Sequence, residues 1–174
     1  QSTRPQTLAY GLNDSPVGLA AWIVEKFRAW SDCNGDIESR FSKDELLTTI
    51  MIYWLTGTIN PSMRRYFEKR HDPEPRPLPL GQRIEVPTGV AMFPGERELI
   101  VPRSFVERCY NLQHWTDMPR GGHFAALEEP ELLINDLKDP SVDLALINGN
   151  FILKAGLSTK DALAVESVEN NPYA

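Results

Sequence analysis

Between positions 73 and 79 a proline stands at every second residue, in Pro73-Glu74-Pro75-Arg76-Pro77-Leu78-Pro79. Each proline fixes φ, removes a backbone donor and pushes the preceding residue out of the helical region. Such a stretch can be neither a helix interior nor a central strand, so it reads as an extended linker over residues 73–85. It separates two kinds of sequence. Upstream, over residues 1–72, apolar side chains recur at helical spacing. Downstream, over residues 86–138, short apolar runs alternate with helix signals, and a further segment, 139–174, differs from both.

Upstream, a helix start follows Arg4-Pro5. Ser15-Pro16 then combines a cap with a first-turn proline ahead of Leu19, Trp22, Ile23, Phe27 and Trp30, which predicts an amphipathic helix. Asn34-Gly35-Asp36 breaks that pattern. Ser42 and Glu45 form a capping box before Leu46, Leu47, Ile50, Met51 and Trp54, giving a second helix that ends near Gly57. Asn60-Pro61 opens a shorter helix bearing Met63, Tyr66 and Phe67.

Downstream, the apolar run 89–93 reads as a buried strand, with Pro87 confined to its first positions because it cannot donate to a ladder. Pro102-Arg103 starts a short helix through about Tyr110. Residues 112–116 read as a second strand and 123–137 as one helix. Strand, helix, strand, helix is the order of an open α/β sheet. In segment 139–174, Asn148-Gly149 between two apolar runs predicts a β-hairpin extension.

The length of 174 residues suits one domain with its own core. With 18 basic against 24 acidic residues, the net charge of −6 argues against nucleic acid as a partner. Cys33 and Cys109 have neither zinc-site nor disulfide-framework spacing, so a reduced, cytoplasmic setting is expected. No apolar run reaches bilayer length and no signal segment opens the chain, so no membrane segment is expected. A start at Gln1 that runs straight into a helix suggests truncation or processing.

The chemistry concentrates in two loops. Gly121-Gly122-His123-Phe124 sets a histidine after two glycines, where its imidazole would be exposed, and Glu96 stands in Phe93-Pro94-Gly95-Glu96 at the end of the first strand. Both fall on loops leaving the carboxyl ends of strands, where functional residues gather in open α/β sheets. A carboxylate that orients a histidine is the back half of a charge-relay site. Glu98 competes with Glu96 for that role. His71 and His114 lack such a setting and read as surface or packing residues, Cys109 as a structural thiol, and Tyr66 either as a core aromatic or as a functional phenol. The four tryptophans could line an apolar pocket or the core. Glu128, Glu129 and Glu131 are expected to favour a helix start through its dipole.

Several longer motifs carry a family resemblance: Asn13-Asp14-Ser15-Pro16-Val17-Gly18-Leu19-Ala20-Ala21-Trp22, Tyr53-Trp54-Leu55-Thr56-Gly57-Thr58-Ile59, Val86-Pro87-Thr88-Gly89-Val90-Ala91 and Arg120-Gly121-Gly122-His123-Phe124-Ala125-Ala126-Leu127-Glu128-Glu129-Pro130. Over roughly residues 1–138, in this order, the chain resembles the microsomal-type epoxide hydrolases of the α/β-hydrolase fold. The resemblance implies a partial α/β-hydrolase fold: the end of a helical cap over 1–72, then the last strands and helices of the sheet. It also implies a two-step hydration of a small apolar epoxide without metal or organic cofactor. An aspartate attacks an epoxide carbon, and a histidine-activated water hydrolyses the resulting ester. His123 matches the base, Glu96 the acid that orients it, and Tyr66 one of two cap tyrosines that hydrogen-bond the epoxide oxygen.

The family's oxyanion-hole motif, its nucleophile elbow and its second cap tyrosine match nothing in these residues. The chain is therefore expected to resemble the carboxyl-terminal half of such an enzyme, with a homo-oligomer or a complementing amino-terminal segment as the candidate partner. Two other readings stand beside it: a non-catalytic remnant or partner subunit, and another hydrolase of the same fold such as an esterase or dehalogenase.

Overall fold

A computed structural model describes residues 1–72, 81–96 and 101–138. The alternating prolines 73–79, Glu98 and the Asn148-Gly149 hairpin lie outside the described residues.

The amino-terminal part is helical. Helix α1 (Pro5–Asp14) ends where the Ser15 N–H bonds the Gly11 carbonyl, and the Ser15 hydroxyl accepts from the Gly18 N–H to cap α2 (Pro16–Trp30). One serine thus closes one helix and opens the next. After a 3₁₀ turn at Ile37–Ser39, the Ser42–Glu45 capping box starts α3 (Lys43–Thr56), which stops at Gly57 with φ +64°. That left-handed conformation favours glycine. Helix α4 (Ile59–His71) begins two residues ahead of Pro61. Ala9, Leu12, Leu19, Ile23, Ile50, Ile59 and Met63, drawn from all four helices, make one buried core.

The second part is α/β. Strand β1 (Ile84–Met92) runs parallel to β2 (Tyr110–Asp117), with α5 (Arg103–Cys109) in the crossover that a parallel pair requires. Gly89 lies opposite His114 and Met92 opposite Asp117. Helices α6 (Ala125–Glu128) and α7 (Pro130–Leu137) follow.

Three expectations need correction. Strand β1 starts five residues before Gly89, and Pro87 is its fourth residue, tolerated because the register shifts between Ile84 and Pro87. The strand is also not buried: it is exposed at its start and half-buried at its end, since among the described residues β2 alone pairs with it. Lastly, 123–137 is not one helix. His123 sits in a turn, and Pro130, which suits a first helical turn but not an interior, separates α6 from α7.

Candidate functional site

Three loops meet at the carboxyl ends of the two strands and of α2. The strand exits bring residues 93–96 and 118–124 side by side, tied by Met118 N–H to the Met92 carbonyl (2.8 Å) and Gly95 N–H to the Gly121 carbonyl (2.8 Å). The third loop, 30–33, leaves α2 and presses against both.

Glycine is what lets them approach. A Cβ on Gly95 would lie 2.7 Å from the Gly121 carbonyl oxygen, and one on Gly122 would lie 2.7 Å from both the Asp32 nitrogen and the Trp30 oxygen. Gly121 has φ +111°, and a Cβ there would meet Phe93 at 2.6 Å. The two glycines before His123 therefore serve a close three-loop junction rather than flexibility.

At this junction His123 Nδ1 and Glu96 Oε2 are 2.7 Å apart. An ionised carboxylate only accepts, so Nδ1 carries the proton and donates, leaving the Nε2 lone pair directed elsewhere. Among the described residues nothing hydrogen-bonds Nε2. The His123 side chain is 38% exposed and that of Glu96 17%, so the imidazole is reachable while the carboxylate is sheltered. The Trp30 ring meets the imidazole edge-on at 5.2 Å, and Phe124 does so at 5.1 Å.

The other two histidines differ. His114 Nε2 lies 2.9 Å from Asp136 Oδ1 and 2.8 Å from the Thr116 hydroxyl, with the ring 14% exposed, so that nitrogen is engaged in packing β2 against α7. His71 is exposed, stacks on Phe67 at 4.0 Å and donates from Nδ1 to the Phe67 carbonyl.

A polar layer lies beneath the pair, and its role was not apparent from the sequence. The buried Glu128 carboxylate accepts from Asp32 N–H (2.8 Å), Gly122 N–H (3.0 Å) and Phe124 N–H (2.9 Å). Buried Glu129 accepts from Arg40 (2.5 Å) and Arg120 (2.7 Å), and its hydrogen bond and charge raise the Arg120 pKa above the ordinary arginine value. Arg40 also donates to the Asp32 carbonyl at 2.7 Å. The helix-start placement expected for these glutamates holds by position, with Glu128 in the first turn of α6, Glu129 at the N-cap of α7 and Glu131 in the first turn of α7, but their hydrogen-bond partners were not foreseen. Two adjacent glutamates just before a proline were the available signal, but Asp32 and Arg40, which tie them to the earlier half of the chain, are distant in sequence.

This chain is 48% identical over 145 residues to epoxide hydrolase 1 of Sus scrofa, a match covering 79% of this chain and 32% of that protein. It is 44% identical to juvenile hormone epoxide hydrolase 2 of Ctenocephalides felis, again over 79% of this chain and 31% of the relative. The crystal structure of juvenile hormone epoxide hydrolase from Bombyx mori superposes with a TM-score of 0.67 at 34% identity, covering 78% of this chain and 36% of that one. The chain belongs to the epoxide hydrolase family.

Its fold is accordingly part of the α/β-hydrolase fold, and the Aspergillus niger epoxide hydrolase structure agrees, with a TM-score of 0.60 at 30% identity over 88% of this chain. No family model matches it. The chain spans about a third of the length of the epoxide hydrolases it matches.

Of the three residues singled out from the sequence, the structure joins two. Tyr66 lies apart on α4, 46% exposed, and none of the described hydrogen bonds or ring contacts links it to His123 or Glu96. Tyr66 is not part of the core that the described residues form. Among the described residues no helix is long and apolar enough to cross a membrane, and no group of three or more potential metal ligands is gathered.

Proposed function

We propose that these residues supply the acid–base half of an epoxide hydrolase site, acting on a small apolar epoxide whose attacking carboxylate comes from sequence outside the 174 residues. The observation that carries this reading is the 2.7 Å bond from His123 Nδ1 to Glu96, which leaves Nε2 as an accessible base. Membership of the family supports it.

In the first step a carboxylate oxygen bonds to an epoxide carbon while that carbon's bond to the ring oxygen breaks. The oxygen leaves as an alkoxide and takes a proton from the Tyr66 phenol; the phenolate regains it through water from the carboxyl group that the second step sets free in its acid form. In the second step His123 Nε2 removes a proton from water, and the hydroxide adds to the ester carbonyl. The tetrahedral intermediate collapses, breaking the acyl C–O bond, and the departing diol oxygen takes the proton back from the imidazolium. Glu96 stabilises the cation that forms between these transfers.

The match of Tyr66 to a cap tyrosine of the family favours this chemistry over ester hydrolysis, which has no use for a donor to an epoxide oxygen. The test is diol formation from styrene oxide by a polypeptide joining these residues to the nucleophile segment. Turnover is expected there, none in the 174-residue chain alone, and a fall of about 10²- to 10⁴-fold in His123→Ala. Full turnover in His123→Ala would exclude the reading.

A further inference from the structure

We infer that Glu128 is a positioning residue for His123: it fixes the main chain on both sides of the histidine, and so governs the hydrolytic step without touching substrate. This rests on the acid–base reading of His123.

The geometry is specific. Four successive N–H groups make up the backbone around the imidazole, and each has an acceptor. Gly121 donates to Asp32 Oδ2 at 3.0 Å, Gly122 to Glu128 Oε2 at 3.0 Å, His123 to the Trp30 carbonyl at 3.0 Å and Phe124 to Glu128 Oε1 at 2.9 Å. Glu128 thus grips the residues before and after His123 with its two oxygens. Its Oε2 also takes the Asp32 N–H at 2.8 Å, binding the histidine turn to the loop that supplies the other two acceptors.

The side chain has no further task that would explain its burial. It is 7% exposed and none of the described ion pairs includes it, whereas neighbouring Glu129 is paired with two arginines. A buried carboxylate is retained only where hydrogen bonds replace its lost hydration, and main-chain N–H groups supply them. What it contributes in return is rigidity. Hydrolysis requires Nε2 to meet a water that itself is aligned on the ester carbonyl, and a displacement of about 1 Å at such a site costs on the order of 10²-fold. Ester formation uses neither His123 nor this water.

Glu128→Gln discriminates, because an amide keeps the volume but presents N–H where Glu128 presents its second accepting oxygen. In the polypeptide carrying the nucleophile segment, single-turnover kinetics with styrene oxide resolve ester formation from ester hydrolysis. Glu128→Gln is expected to leave ester formation unchanged and to slow hydrolysis about 10- to 100-fold, with Glu128→Ala slower still and exposed Glu131→Gln unaffected. Where the alanine variant does not fold, the glutamine variant decides. Hydrolysis at the unmodified rate in Glu128→Gln overturns the inference, and so do both steps falling in parallel, which is what a merely structural role predicts. Absence of any ester in the unmodified enzyme overturns the reading of function and this inference with it.

Discussion

At Gly122 the main chain passes so close to the end of α2 that a methyl group would sit 2.7 Å from two backbone atoms. Backbone cannot swing aside as a flexible side chain can, so relief requires the loops to separate. Gly122→Ala is therefore expected to destabilise the fold by about 3 kcal/mol, at the upper end of overpacking costs, read as a lower denaturant midpoint at unchanged slope. Stability unchanged by the methyl group would mean that the loops do not meet as described. The same residue shows what sequence alone can carry. Gly-Gly-His marked the turn, and the glutamate at the end of the first strand marked its partner. The reason for the glycines lay in Trp30 and Asp32, which no local pattern connects to them. The bond from Asp32 N–H to Glu128, across 96 residues, was illegible for the same reason.

Among elements, helix starts were the most legible features, because their determinants are local. Ser15 and the Ser42–Glu45 box stand where the sequence put them, and Gly57 ends α3 in the conformation that glycine favours. Strands were less legible. Burial of a parallel strand depends on what covers it, and β1 extends through Pro87 by a shift of register that no residue pattern announces. Helix α4 shows the functional side of this. Its buried positions Ile59 and Met63 continue along the same stripe to Tyr66 and Phe67, which are 46% and 36% exposed. The stripe thus presents a phenol at the surface. Tyr66→Phe is expected to slow ester formation by about 10- to 100-fold while leaving hydrolysis of a formed ester unchanged. Equal slowing of both steps would assign the hydroxyl to structure instead.

On the scale of the whole molecule, the four-helix core and the two-stranded sheet meet through α2, whose last turn supplies the loop that braces His123. The helical segment therefore takes part in building the His123–Glu96 pair rather than only covering it. In the proposed function the residues divide the two chemical steps: they carry the base and its orienting acid, while the attacking carboxylate belongs to sequence beyond them. Intact-mass measurement on His123→Gln, in a polypeptide joined to the nucleophile segment and mixed with styrene oxide, tests that division most directly. The account predicts that the protein gains the mass of one epoxide and holds it, because the ester forms and is not hydrolysed. Diol release at the unmodified rate, or no adduct from a polypeptide whose unmodified form turns over, would contradict it.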